Sequence, residues 1–171
     1  MKEGLLAACL ACHGASGVSD TPLTPSLGAQ PAFYVVAQLF LFREGRRDNE
    51  VMTAQAKGLK DDDLRALSDA ISKLPAPPVP KSGLDKGRFE RGRKATEGRH
   101  CTSCHGADWS GNKNVPRVAN QREDYLLKAL RDYRAGKRIG YGNAQMPETV
   151  AGLDDAVLAD ISHYLAHFRP K

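Results

Sequence analysis

At 171 residues, 41% apolar, with a formal charge of +5, the chain has the composition of a small folded protein and excludes the disordered and fibrous classes. Its longest apolar stretch, Phe33 to Phe42, is ten residues and includes Gln38, too short to cross a bilayer, so no transmembrane segment is expected. Charge is uneven, with a net −1 over residues 1–80 and +6 over residues 81–171; the second half therefore carries a basic surface that either steers an acidic partner or is simply solvated.

In chain order, Cys9-Leu10-Ala11-Cys12-His13 comes almost at once, leaving no room in Met1 to Leu6 for the charged start, apolar core and cleavage site of an export signal. Then follow a Pro25 to Gln30 segment, the aromatic-led apolar helix Phe33 to Phe42, Gly45-Arg46-Arg47, Met52, and a closing helix that begins at the acidic cluster Asp61 to Asp63. Leu64, Leu67, Ile71 and Leu74 put one buried stripe on that helix. Leu74 to Pro80 holds four prolines in seven residues, which cannot continue a helix or join a sheet, and it reads as a stiff linker.

Beyond the linker the order repeats. A helix over Gly87 to Glu97 precedes Cys101-Thr102-Ser103-Cys104-His105; Pro116 to Gln121, a helix over Tyr125 to Tyr133, Gly136-Lys137-Arg138, Met146-Pro147 and a closing helix from Asp154-Asp155 with Leu158, Ile161 and Leu165 follow. No alternating strand pattern appears. The expected fold is all-α, with two tandem domains over 1–74 and 84–171 and a linker over 75–83.

The two Cys-x-x-Cys-His motifs use every cysteine in the chain and are the signature of covalent c-type haem attachment. Thiols one helical turn apart can each close a thioether onto a vinyl group while the adjacent histidine is aimed at the iron. A zinc site, redox dithiols or structural disulfides would also use the cysteines, but none of them explains a histidine after both second cysteines. Two covalent haems also answer a size problem. Units of some 80 residues have marginal apolar cores, and a haem is a large apolar filler. Haem attachment occurs outside the cytoplasmic membrane, so a periplasmic location is expected, Met1 standing where a removed export signal ended, and no nucleic-acid partner is expected.

A second axial ligand follows by elimination. Met52 lies 40 residues after Cys12 and Met146 lies 42 after Cys104, so two methionines stand at matched distances from His13 and His105. Core packing is the ordinary role of a methionine, and the matched spacing favours ligation instead. A bis-histidine second haem is the remaining alternative, and it would have a lower potential. His100, His163 and His167 read as surface or helix-end residues. Phe33 to Phe42 is apolar around its whole circumference and must be covered on more than one side, by the other domain, another copy in a homodimer, or a partner protein.

These residues resemble class I cytochrome c domains in tandem, and the whole chain is similar to dihaem proteins of the cytochrome c4 type. The resemblance implies thioethers at Cys9, Cys12, Cys101 and Cys104, proximal ligands at His13 and His105, distal ligands at Met52 and Met146, and proximal imidazoles oriented by the carbonyls of Pro25 and Pro116. It implies single-electron transfer between redox proteins, with a dehydrogenase, terminal oxidase or reductase as donor or acceptor and no catalytic residues. A dedicated electron-accepting subunit, as in flavocytochrome c sulfide dehydrogenase, is the competing reading; an open first haem, with Met52 not bound, is a third. Class I domains open with a helix that crosses the closing helix through a glycine and an aromatic. The second half has Phe89 and Tyr164 for this, while the first half has almost nothing before Cys9 and Ala70 in place of Tyr164, so the first domain is expected to be less enclosed.

Overall fold

The computed structural model describes residues 4–140 and 145–169, so Met1 and the expectation attached to it lie outside the described residues. The described chain is helical: α1 (Leu5–His13), α2 (Ala32–Arg43), α3 (Glu50–Ala56), α4 (Asp61–Ser72), α5 (Lys86–Gly98), α6 (Thr102–His105), α7 (Glu123–Arg134), α8 (Met146–Val150) and α9 (Asp155–Ala166). Among the described residues the one β feature is an isolated bridge between Asn112 and Val115. No described helix is long and apolar enough to cross a membrane.

The sequence places these ends by local chemistry. Asp85 and Asp154 cap α5 and α9 by accepting the backbone N–H of Arg88 and Val157 at 3.0 and 2.8 Å. Asn49 does the same for α3 through Met52 N–H at 2.9 Å. α2 and α7 end alike, because Gly45 and Gly136 take positive φ of 63° and 69° just past each helix. Arg46 N–H then reaches back to Leu41 O and Lys137 N–H to Asp132 O, closing the same glycine-terminated turn twice. That turn sets Arg47 and Arg138 at equivalent places, with each guanidinium over the ring of its own helix, Phe42 at 4.5 Å and Tyr133 at 4.6 Å.

In the first half α2 packs on α4 through Val35, Leu39, Leu64, Leu67 and Ile71. In the second, α5 crosses α9 and α7 packs beside it over Leu126, Leu130, Leu158, Ile161, Tyr164 and Leu165. The α5–α9 crossing turns on Gly92, where a Cβ would stand 2.1 Å from Asp160 O and 2.7 Å from Tyr164 Cβ. Phe89 meets Tyr164 edge-on at 4.9 Å, and Trp109, 2% exposed, packs edge-on to Tyr164 and Phe168. α1 has no such crossing and meets the α4 core through Leu5, Leu6 and Cys9, all half-buried. The first half is accordingly the less enclosed of the two.

One expectation changes on contact with the structure and one narrows. His163 and His167 are buried, at 1% and 7% exposure. His163 Nδ1 pairs with Glu123 at 2.8 Å and its Nε2 accepts the backbone N–H of Asp85 at 2.9 Å, while His167 Nδ1 donates to His163 O at 3.0 Å. They fasten the chain after the proline linker onto α9. The apolar helix α2 is covered largely within the chain: Val35, Ala37, Leu39, Leu41 and Phe42 are all buried and Phe33 stays outward.

Candidate functional site

Each motif sits on a helix whose last residue is its histidine. Cys9 and Cys12 are one turn apart on α1; Cys101 caps α6 and Cys104 lies within it. In both pairs the first cysteine is half-buried and the second exposed, and none of the four is in a disulfide. Burial pushes the Cys9 and Cys101 thiols up, so neither is a standing thiolate.

His13 and His105 are 7% and 8% exposed. His13 Nδ1 donates to Pro25 O at 2.7 Å and His105 Nδ1 donates to Pro116 O at 3.0 Å. Burial lowers both imidazole pKa values, outweighing the carbonyl bonds, so each ring is neutral with its proton on Nδ1. The lone pair is thereby left on Nε2, which is the form in which histidine binds a metal.

Met52, half-buried in the first turn of α3, packs on the same apolar cluster as Cys9. Met146 opens α8, followed by Pro147, and packs on the cluster that holds Cys101. The structure thus packs one motif cysteine and one methionine of each half on a shared apolar cluster, Cys9 with Met52 and Cys101 with Met146. A haem also brings two carboxylates, and the second half has cationic donors to meet them: the Nε of Arg117 and of Arg138 are buried with no partner among the described residues. The residues present fit the group.

In the Pro-x-x-x-x-Gln and Gly-basic-Arg repeats the sequence assigns a role to the prolines alone. The structure pairs the repeats crosswise between the halves. Gln30 Nε2 donates to Arg117 O at 2.9 Å and Gln30 Oε1 accepts Arg117 N–H at 3.1 Å. Its repeat partner Gln121 does the same to Ser26, accepting its N–H and donating to its carbonyl, both at 2.8 Å. Arg47 donates to Tyr125 Oη and Arg138 to Tyr34 Oη, each at 3.0 Å. Burial raises the Tyr125 pKa, but the charges of Arg47 and Arg138 override it and bring the phenol down to about 7. The two halves thus dock about a pseudo-two-fold axis, each using the same residues on the other. Trp109, which reading by pattern passed over, fills the space beside His105 at 6.3 Å between ring centres.

Residues 89–169 match the family model for cytochrome c. Cytochrome c4 of Thiocapsa roseopersicina is 34% identical over 164 residues, spanning 92% of this chain and 85% of that protein. A thiosulfate dehydrogenase electron acceptor of Thiomonas intermedia is 30% identical over 174 residues, spanning 94% of this chain and 78% of the relative. The crystal structure of reduced recombinant cytochrome c4 from Pseudomonas stutzeri superposes with a TM-score of 0.86 at 26% identity, covering 97% of this chain and 96% of the other.

Proposed function

This chain belongs to the cytochrome c4 family, all-α class I cytochromes c that carry covalent haem and transfer electrons without being enzymes, and within it we propose a periplasmic carrier that passes single electrons through two His/Met-ligated haems. The observation that carries the reading is the duplicated neutral imidazole, buried at the end of each Cys-x-x-Cys-His helix with Nδ1 tied to a proline carbonyl. Bound haem iron supplies a one-electron couple between ferrous and ferric states. Cys9 and Cys12, and Cys101 and Cys104, hold one haem each by thioethers. His13 and His105 would bind the iron through Nε2, and Met52 and Met146 would supply a thioether sulfur as the second ligand. A thioether favours the reduced metal, raising the potential relative to a bis-histidine site. Arg117 and Arg138, whose buried Nε atoms have no partner among the described residues, would be the donors to haem carboxylates, and the crosswise glutamine and arginine contacts join the two halves. Were both methionines to bind, the protein itself would complete the iron's coordination and leave no position for a substrate.

Carbon monoxide tests the ligand set. Added to the reduced two-haem protein, it should leave the absorption spectrum unchanged at both haems, since each sulfur must leave before it binds. A spectral shift in half of the haem would mean that Met52 is not a ligand and that the first site is open.

A second reading, the dedicated electron acceptor of a dehydrogenase, is favoured by the likeness to the thiosulfate dehydrogenase electron acceptor and by the +6 charge of the second half. Reduction of the oxidised protein by a purified thiosulfate dehydrogenase, at a rate that falls steeply with added salt, would support it.

A further inference from the structure

The two interface glutamines touch the same peptide units that hold the proximal histidines. The Pro25–Ser26 peptide accepts His13 Nδ1–H on its oxygen and donates its N–H to Gln121 Oε1; the Pro116–Arg117 peptide accepts His105 Nδ1–H and donates to Gln30 Oε1. Gln30 and Gln121 are 6% and 5% exposed, so no water competes for these bonds. Each glutamine is contributed by the opposite half.

We propose that Gln30 and Gln121 are positioning residues that tune the proximal histidine of the opposite haem, so that the docked interface sets the electron affinity of each site from across it. The inference rests on the reading of His13 and His105 as proximal ligands.

The physical chain has three links. An acceptor on the peptide N–H draws electron density through the amide onto its oxygen, and hydrogen bonds in series strengthen one another. A stronger carbonyl acceptor pulls harder on the imidazole Nδ1–H and makes Nε2 a stronger donor. A stronger donor favours the ferric state and lowers the potential of that haem. Losing Gln121 therefore raises the potential of the first haem, and losing Gln30 raises that of the second. Simple loosening of the interface acts in the other direction, because water reaching a haem stabilises the ferric charge.

The test is an NMR-followed redox titration of the two-haem protein, which assigns each potential to its own haem, on Gln121→Ala, Gln30→Ala and the acceptor-retaining Gln121→Glu. Gln121→Ala should raise the first potential and leave the second in place, with the His13 Nδ1–H resonance of the reduced protein moving upfield. Gln30→Ala should mirror this at the second haem and His105. Gln121→Glu keeps an oxygen for Ser26 N–H and should not raise the first potential, which separates the bond from mere packing. Equal shifts at both haems, a downward shift in the alanine variants, or no shift at all would overturn the proposal. Should the unmutated protein lack a histidine-ligated haem in either half, the underlying ligand reading fails, and that is visible before any variant is compared.

Discussion

Replacing Met146 by alanine should leave both haems attached and convert one of them from low-spin to high-spin. The thioether links depend on Cys101 and Cys104, on α6 and at its N-cap, which the substitution does not touch. His105 keeps its place through Pro116 O at 3.0 Å. What is lost is the Met146 sulfur, presented at the start of α8 where Pro147 fixes the first turn. The far-red band of methionine bound to ferric iron should fall to half, carbon monoxide should bind one haem per chain on reduction, and the potential of that haem should drop. Axial ligands shift haem potentials within a range of about 0.8 V, so a drop on the order of a tenth of a volt or more is the expected scale. An unchanged far-red band would mean that Met146 is a core residue and that something else holds the sixth position.

Gly92→Ala is expected to cost the second half about 2 kcal/mol. Alanine is the better helix former by about 1 kcal/mol, which would favour the substitution on an exposed helix. Here the new methyl would stand 2.1 Å from the backbone oxygen of Asp160, which no rotamer change can move aside. Separating α5 from α9 costs about 3 kcal/mol, the upper part of the overpacking range, so sterics outweigh propensity. It also pulls on Phe89 against Tyr164 and on the Arg91–Asp160 pair at 2.6 Å. A net loss of that size lowers the unfolding midpoint of a domain this small by roughly 10 °C. Trp109, the one tryptophan in the chain, packs against Tyr164 and reports the event by fluorescence. Among the described residues the first half has no equivalent crossing and should melt as before; an unchanged tryptophan transition would show that α5 and α9 do not meet closely.

Much of this was legible because the signals are local and repeated. The haem motifs are contiguous, and the Leu64, Leu67, Ile71 stripe is a simple 3.6-residue pattern that became the α4 face of the first core. Asp61 to Asp63 and Asp154-Asp155 marked helix starts because acids belong at the positive end of a helix, and α4 and α9 begin there. Ala70 standing where the second half has Tyr164 was readable as the lack of an aromatic for a helix crossing on α4.

What could not be read was decided across the interface. Gln30 and Arg117 are 87 residues apart, Gln121 and Ser26 95, and no local pattern encodes which repeat residue meets which. His163 and His167 looked like surface residues because polar side chains one turn apart usually face water. They are buried because the chain leaving the linker brings the backbone of Asp85, and the first turn of α7 the carboxylate of Glu123, to His163. That helix α2 needs cover on more than one side was legible; which surfaces supply it was not, and they are α4 on one side and the docked second half on another, where Tyr34 meets Arg138.

The most direct test of a two-haem, His/Met-ligated electron carrier is the far-red absorption of the oxidised protein, normalised to haem and to chain, after production with a c-type haem maturation system. Two haems per chain, each with a methionine band of full strength, are expected. One haem per chain, or two haems sharing the band intensity of one, would contradict it.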